Sequence, residues 1–352
     1  IEKSIKASKY FDKVIESGDI IVPSGTVYKD HKKKLSILAD STGKRVKARG
    51  ILKKEAFLAE AKGDLSEYVL KETLQKAVKT KNNGFTGMYD NPHNPFYCPS
   101  NHSSLTSTTA SVTSIGNSIG ESMTAGNRIY TKPEVPINHI ASLMTNTNLE
   151  LVQQVIDKYD LYLPTVDDCM YIILKSTRFY WHSTEEEIKI RSVLDLLTGM
   201  ERAVFCYVND FYHLRYFNDK LVRKIFKDTL GVKENLVSDP KAEMADTPED
   251  VEILAKVICY DVMFDHATKK EIVSMKDELY PETKDKIAST AYNVKKQLSE
   301  YDDLIRAFFL TDNLPINIAD IKMVVRGCTV LSDTDSTCST YQDWVLWYFR
   351  RG

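Results

Sequence analysis

Cysteine is scarce and scattered in this 352-residue sequence: Cys98, Cys169, Cys206, Cys259, Cys328 and Cys338. No two of them form a CxxC, and none joins a histidine at zinc-ligand spacing. That excludes a disulfide scaffold and a finger-type zinc site, and it predicts reduced, buried thiols of a cytosolic protein. There are 7 histidines and no HExxH, so no metal is assigned to them. Apolar runs long enough to span a bilayer are missing, and so is a signal peptide. The expected location is therefore intracellular, with no membrane partner and no secretion. A surplus of either charge is missing too. Lys and Arg total 47 against 49 Asp and Glu, a net charge of −2, so any nucleic-acid contact must come from a local basic patch. No internal repeat is visible. The chain opens on Ile1 rather than Met, and it is expected to be a piece of a longer polypeptide.

What is present is an ordinary globular composition, 43% hydrophobic and 27% charged, able to bury a sizeable core. The length allows two or three domains, or one with a large insertion. "GDIIVPSGTVY" reads as a short strand and turn. Residues 32 to 83 read as a helical hairpin turning near Gly63, its second helix opening on Asp64 or Ser66 as N-cap and stopping at glycine. "YDNPHNPFYCPSNHSS" is a loop, and "SLTSTTASVTSIGNSIGESM" is a helix with small, polar faces that permit close backbone approach. From about 147 to 310 the apolar spacing is helical, and Phe205, Tyr207, Phe211, Tyr212 and Phe217 are expected in its core. Residues 321 to 341 return to strand composition.

Within that last stretch lies "TVLSDTDSTCSTY". Asp333 and Asp335 are separated by one residue after a β-branched run, and positions i and i+2 of a strand share a face. Two close carboxylates repel unless a cation sits with them. Hard divalent ions such as Mg²⁺ take oxygen ligands and leave positions for water and phosphate. The pair therefore reads either as a divalent-ion site or as a solvated turn, since Asp, Thr and Ser are all turn formers. Two basic runs lie upstream. Arg45, Arg49 and Lys53 are spaced by four and make a stripe on one helix. Gln75, Lys79 and Asn83 repeat that spacing on the next. Two antiparallel helices with such stripes could clamp a triphosphate, or they could be solvated faces.

Taken together these residues resemble the B-family DNA polymerases. "SDTDS" is similar to the family's last acidic signature. "KTKNNGFTG" resembles its finger-helix signature through Lys79, Asn83 and Gly87, with Gly84 and Thr86 standing where the family has Ser and Tyr. "GKRVKARGILKK" resembles the first finger helix, and "NPFYCPSNHSSLTSTTASVTSIG" the segment that returns the chain to the palm. The family's first acidic motif is not found. "MKDELYP" at 275–281 has Met275 in place of the Asp and follows the finger signature, so it is read as a decoy. Leu331 and Ser332 replace the Tyr-Gly that usually precedes DTDS.

The resemblance implies an α+β fold, with a helical fingers hairpin and a large helical insertion attached to an antiparallel palm sheet. The implied divisions are 1–31 (palm segment), 32–87 (fingers), 88–146 (return to palm), 147–310 (helical insertion) and 311–352 (palm with the acidic hairpin). It also implies template-directed addition of dNTPs to a primer 3′-hydroxyl by two-metal phosphoryl transfer. Asp335 would bind Mg²⁺ directly and Asp333 would assist. A carboxylate outside this chain would complete the two-metal site. Arg45, Arg49, Lys79 and Asn83 would hold the triphosphate, and Thr86 would stand under the nascent pair. The implied partners are primer-template DNA, a dNTP, and another polypeptide or missing segment that carries the first acidic motif, with room for an exonuclease and thumb. This chain alone is expected to be catalytically inactive. A DxD metal-dependent glycosyltransferase and a non-catalytic replisome subunit are the alternative readings.

Overall fold

In this computed structural model the described residues are 7–30, 32–34, 36–232, 236–237, 251, 254–255, 258–259, 281–313, 324–332 and 337–350. They form two compact units, one of residues 1–110 with 256–288 and the other of residues 111–255 with 289–352. Helices dominate both, and two small antiparallel sheets complete an α+β fold.

The first unit begins with α1 (Ala7–Ser17), a helix not expected from the sequence. β1 (Ile20–Ile21) and β2 (Val27–Tyr28) then pair antiparallel, Ile20 opposite Tyr28. α2 (Ile37–Lys62) is N-capped by Ser36, whose hydroxyl accepts the N–H of Leu38. It ends on Gly63 at φ +75°, a left-handed position where a side chain would be strained. α3 (Leu65–Met88) starts at once, with the Asp64 carboxylate accepting the N–H of Glu67. The hairpin thus turns at Gly63, where the sequence places it. α3 continues through Gly84 and Gly87 to Met88, beyond the expected end at residue 83. Packing explains the extension. The Phe85 ring lies 4.0 Å from the Arg45 guanidinium of α2. Tertiary contact here outweighs the low helix propensity of glycine. A turn-rich loop follows, in which Asn91 and Asn94 accept the N–H groups of His93 and Phe96.

α4 (Pro99–Ala125) opens with proline at its first position, where a missing N–H costs nothing. Its residues from 111 onward belong to the second unit, with α5 (Glu134–Asn146), α6 (Leu149–Tyr159), α7 (Val166–Thr177), α8 (Thr184–Asp195), α9 (Gly199–Tyr207), α10 (Phe211–Phe217) and α11 (Asp219–Leu230). α9 is the hub. Its Ala203, Val204, Phe205, Cys206 and Tyr207 are fully buried, and α5, α6, α7 and α10 pack on it. Capping boxes at Thr165 and Thr198 fix where α7 and α9 begin. α12 (Pro281–Glu300) and α13 (Asp302–Phe308) follow, with α13 packed on α6. The expected core aromatics lie in or against this cluster. Of the cysteines, Cys169, Cys206, Cys259 and Cys328 are buried thiols, whereas Cys98 is half-buried and Cys338 exposed. β3 (Thr329–Ser332), β4 (Thr337–Ser339) and α14 (Gln342–Phe349) close the unit.

Candidate functional site

β3 and β4 pair antiparallel, with Thr329 opposite Ser339, Leu331 opposite Cys338 and Ser332 opposite Thr337. An irregularity in the register between Thr329 and Leu331 bends the start of the ladder. Residues 333–336, which include Asp333 and Asp335, lie outside the described residues, as does most of "MKDELYP". The strands on either side of 333–336 are held by α4. Asn117 donates its amide N–H to the Ser332 hydroxyl at 2.9 Å and accepts from the Thr337 hydroxyl at 2.7 Å, so one side chain bridges both strands.

One turn further along α4, Glu121 receives the start of β3. Its Oε1 accepts the N–H groups of Cys328 at 3.0 Å and Thr329 at 2.7 Å. Its Oε2 accepts the N–H of Gly327 and the amide of Asn127. Successive backbone donors converging on one anion form a nest. The side chain is fully buried, at 0% exposure. Burial pushes its carboxyl up, but the N–H groups of Gly327 and Thr329, the Asn127 amide and the Cys328 N–H outweigh that and hold it below its ordinary value. Space at Gly327 is tight: a Cβ there would come 3.0 Å from Ala125 Cβ and 3.3 Å from Glu121 Oε2, so a neighbour would have to give by a few tenths of an ångström.

α4 is unusual in what it buries. Among its 27 residues only Ser104, Asn117 and Glu121 are buried, and all three are polar. Its last carbonyls are answered from the second unit. The Trp344 indole donates to the Thr124 carbonyl at 2.7 Å, and the Lys175 ammonium to the Ala125 carbonyl at 3.0 Å. A cation at a helix C-terminus complements its dipole. Burial lowers the Lys175 pKa to about 8 despite nearby Asp210. The Ser122 hydroxyl donates to the Asn209 carbonyl at 2.9 Å. Below lies a buried ionic network. Arg128 donates to Asp210 Oδ2 from Nε at 2.9 Å and from a terminal nitrogen at 2.8 Å, and His213 Nδ1 lies 2.7 Å from the same oxygen. An apolar cavity of about 590 Å³, lined by Thr124, Phe211, Phe226, Trp344 and Phe349 among others, adjoins this end of α4.

The basic stripes of the first unit meet across the α2–α3 hairpin. Arg45 Nε donates to Asn82 Oδ1 at 2.9 Å and a terminal nitrogen to the Thr42 hydroxyl at 3.2 Å. Arg49 Nε donates to Gln75 Oε1 at 3.1 Å. Lys71 pairs with Glu55 at 2.8 Å. On α3, Gln75, Lys79, Asn82, Asn83 and Thr86 span roughly 100° of the helix. Gln75 is buried and Thr86 half-buried, whereas Lys79 and Asn83 are exposed on the flank of that stripe. The structure thus brings Arg45 and Arg49 together with Gln75, Asn82 and Phe85. It leaves Lys79 and Asn83 beside them in solvent.

The model of the divergent Family B DNA polymerases matches residues 1–352, the whole chain. The chain belongs to that family. No curated protein and no solved structure matches it. Membership gives this divergent Family B DNA polymerase a DNA polymerase-related role. Among the described residues no helix is long and apolar enough to cross a membrane, and no group of three His, Cys, Asp or Glu could hold a metal. Two of this polymerase's residues that matter at the hairpin, Asn117 and Glu121, carry no motif in the sequence. Their partners lie more than 200 residues away. The small-residue face of α4 gives no signal either, since a Cβ at Gly116 or Gly120 would meet nothing within 4 Å. Asn82 and Phe85 were passed over for a different reason. The finger signature draws attention to Asn83 and Thr86, one position along.

Proposed function

We propose that this chain is part of a template-directed DNA polymerase that adds dNTPs to a primer 3′-hydroxyl. The paired β3–β4 hairpin supports the reading most, because Ser332 and Thr337 stand opposite each other at the two ends of the DTDS stretch. Carboxylates are the hard oxygen donors that Mg²⁺ prefers, so Asp335 and Asp333 fit that ion chemically. When bound, Mg²⁺ would supply Lewis-acid polarisation of the phosphoryl oxygens and acidify the attacking hydroxyl. The reading takes the remaining carboxylate from a segment or polypeptide beyond these residues.

The chain's own side chains do the positioning. Arg45 and Arg49 are oriented on α2 by their Nε bonds to Asn82 and Gln75, and the guanidinium of Arg49 offers its terminal nitrogens to phosphate oxygen. Lys79, exposed on the same side of α3 as Gln75, adds a mobile positive charge. Asn83 offers an amide, and half-buried Thr86 presents a smaller surface under the nascent base pair than the Tyr the family has there. Primer extension by the full-length protein, with the segment or polypeptide that carries the first acidic motif supplied, tests the reading; without that segment no addition is expected. Wild type should extend with Mg²⁺, and Asp335→Ala should abolish addition while Asp333→Ala reduces it less. A folded wild-type protein that, with that segment present, binds primer-template and adds no nucleotide would refute catalysis and favour the non-catalytic alternative. Extension by Asp335→Ala at the wild-type rate would refute the metal assignment.

A further inference from the structure

α4 faces the β3–β4 hairpin with two polar residues one helical turn apart, and each does something that ordinary packing would not need. Asn117, 6% exposed, joins the last residue of β3 to the first of β4 through Ser332 and Thr337. Glu121, 0% exposed, gathers the N–H groups of Gly327, Cys328 and Thr329 where β3 begins. A buried, ionised carboxylate is an expensive way to terminate a strand, since a water or a carbonyl would satisfy those donors with no charge to desolvate. The two-stranded ladder is short, and Val330 and Leu331 are 72% and 66% exposed. Such a hairpin has little apolar burial to fix its place and would be marginal alone. Its fixed points are therefore Asn117 at the far end and Glu121 at the near end.

We propose that Asn117 and Glu121 are the positioning residues of the β3–β4 hairpin, fixing Ser332 and Thr337, between which the sequence carries Asp333 and Asp335. This inference rests on the polymerase reading above. The two residues touch no substrate, and they act through the strands. In metal sites, groups that orient the ligands are worth roughly 10- to 100-fold in metal affinity. Asn117→Ala removes one side chain that bonds both strands, and Glu121→Gln keeps the volume of Glu121 while removing the charge.

The test uses the full-length protein and Mn²⁺ as a paramagnetic substitute, titrated by EPR, with Asp335→Ala as reference. Amide hydrogen exchange at residues 327–332 and 337–339 is followed in parallel. Both variants should speed exchange at those amides before the rest of the second unit responds. Both should weaken Mn²⁺ binding roughly 10- to 100-fold and raise the Mg²⁺ needed for extension, with the KM for dNTP unchanged. A merely structural role would lower the melting temperature and the active fraction but leave the metal midpoint where it was. If Glu121→Gln does not fold, Asn117→Ala decides alone. Wild-type Mn²⁺ affinity in a folded Asn117→Ala, alongside impaired binding in Asp335→Ala, overturns the positioning role and spares the polymerase reading. Wild-type affinity in Asp335→Ala removes the reading itself, and this inference with it.

Discussion

Asp210→Ala should be among the most damaging single changes in the second unit. The carboxylate is fully buried, receives two bonds from Arg128 and one from His213 Nδ1, and its other oxygen caps α10 through the His213 N–H at 2.9 Å. Truncation leaves the Arg128 guanidinium, whose side chain is 2% exposed, without its charge partner. Breaking a buried pair on one side costs about 3–5 kcal/mol, and loss of an N-cap about 1 kcal/mol more. Because the two effects share one side chain they do not add fully, and about 4 kcal/mol is the expected loss. Urea denaturation followed by tryptophan fluorescence is the assay, since Trp181, Trp344 and Trp347 all lie in this unit. With a slope of about 2 kcal/mol per molar, the midpoint should fall by about 2 M. The paired replacement Arg128→Met with Asp210→Leu should cost much less than Asp210→Ala alone, because no charge is then stranded. A midpoint drop below about 0.5 M for Asp210→Ala would refute the claim that this network holds α10 to the strand of chain after α4.

The same carboxyl predicts an acid limb. Burial raises its pKa, but the charges of His213 and Arg128 reverse that and hold it at about 2, below the ordinary 3.8. The unfolded chain therefore takes up this proton first, so the stabilisation of about 2 kcal/mol is present above pH 4 and is lost as pH falls toward 2. Asp210→Asn should flatten that limb in a pH series of melts. Gly126→Ala should cost about 3 kcal/mol, since its φ is +60° and a Cβ would run into His213 Cε1, whereas Gly63→Ala, at φ +75° in open space, should cost only about 1 kcal/mol. Thermal melts separate the two. Lys79→Ala and Arg49→Ala should each raise the KM for dNTP roughly 10- to 100-fold in steady-state extension, with primer-template affinity unchanged. Loss of DNA binding at constant KM in both would overturn the triphosphate assignment.

Local rules carried much of the fold. Asp64 and Gly63 punctuate the α2–α3 hairpin with a cap and a left-handed turn, and both are written in adjacent residues. The helical body was legible because Val152, Val155 and Ile156 in α6, Cys169, Ile172 and Ile173 in α7, and Ile190 and Leu194 in α8 recur at helical spacing. α1 was missed although Ala7, Tyr10, Phe11, Val14 and Ile15 recur at helical spacing, so this helix was legible in the sequence. The candidate site was legible only where chemistry is concentrated in a short string, as in "SDTDS" and "KTKNNGFTG". Arg45 and Arg49 were visible as a stripe, but their partners Asn82 and Gln75 depend on the register of two helices, which spacing alone leaves open. Glu121 was invisible for a stronger reason. A lone Glu in a Ser- and Thr-rich helix reads as solvated, and its burial is decided by a strand that arrives 206 residues later.

The polar character of α4 has a consequence for how this sequence can drift over evolutionary time. Many of its hydroxyls answer carbonyls of their own helix: Ser104 to Ser100, Thr106 to His102, Thr109 to Leu105 and Thr124 to Gly120. A helix that satisfies itself in this way asks little of its neighbours. Its exposed positions can be exchanged among Ser, Thr and Ala almost silently, so relatives could share hardly a letter there and keep the same rod. Sites where α4 does answer another segment, among them Asn101 and Ser104 in the first unit and Asn117, Ser122 and Glu121 in the second, cannot wander in that manner. A lineage could thus erase nearly every trace of kinship along this helix and still retain, at isolated and uninformative-looking letters, the contacts by which it keeps its shape.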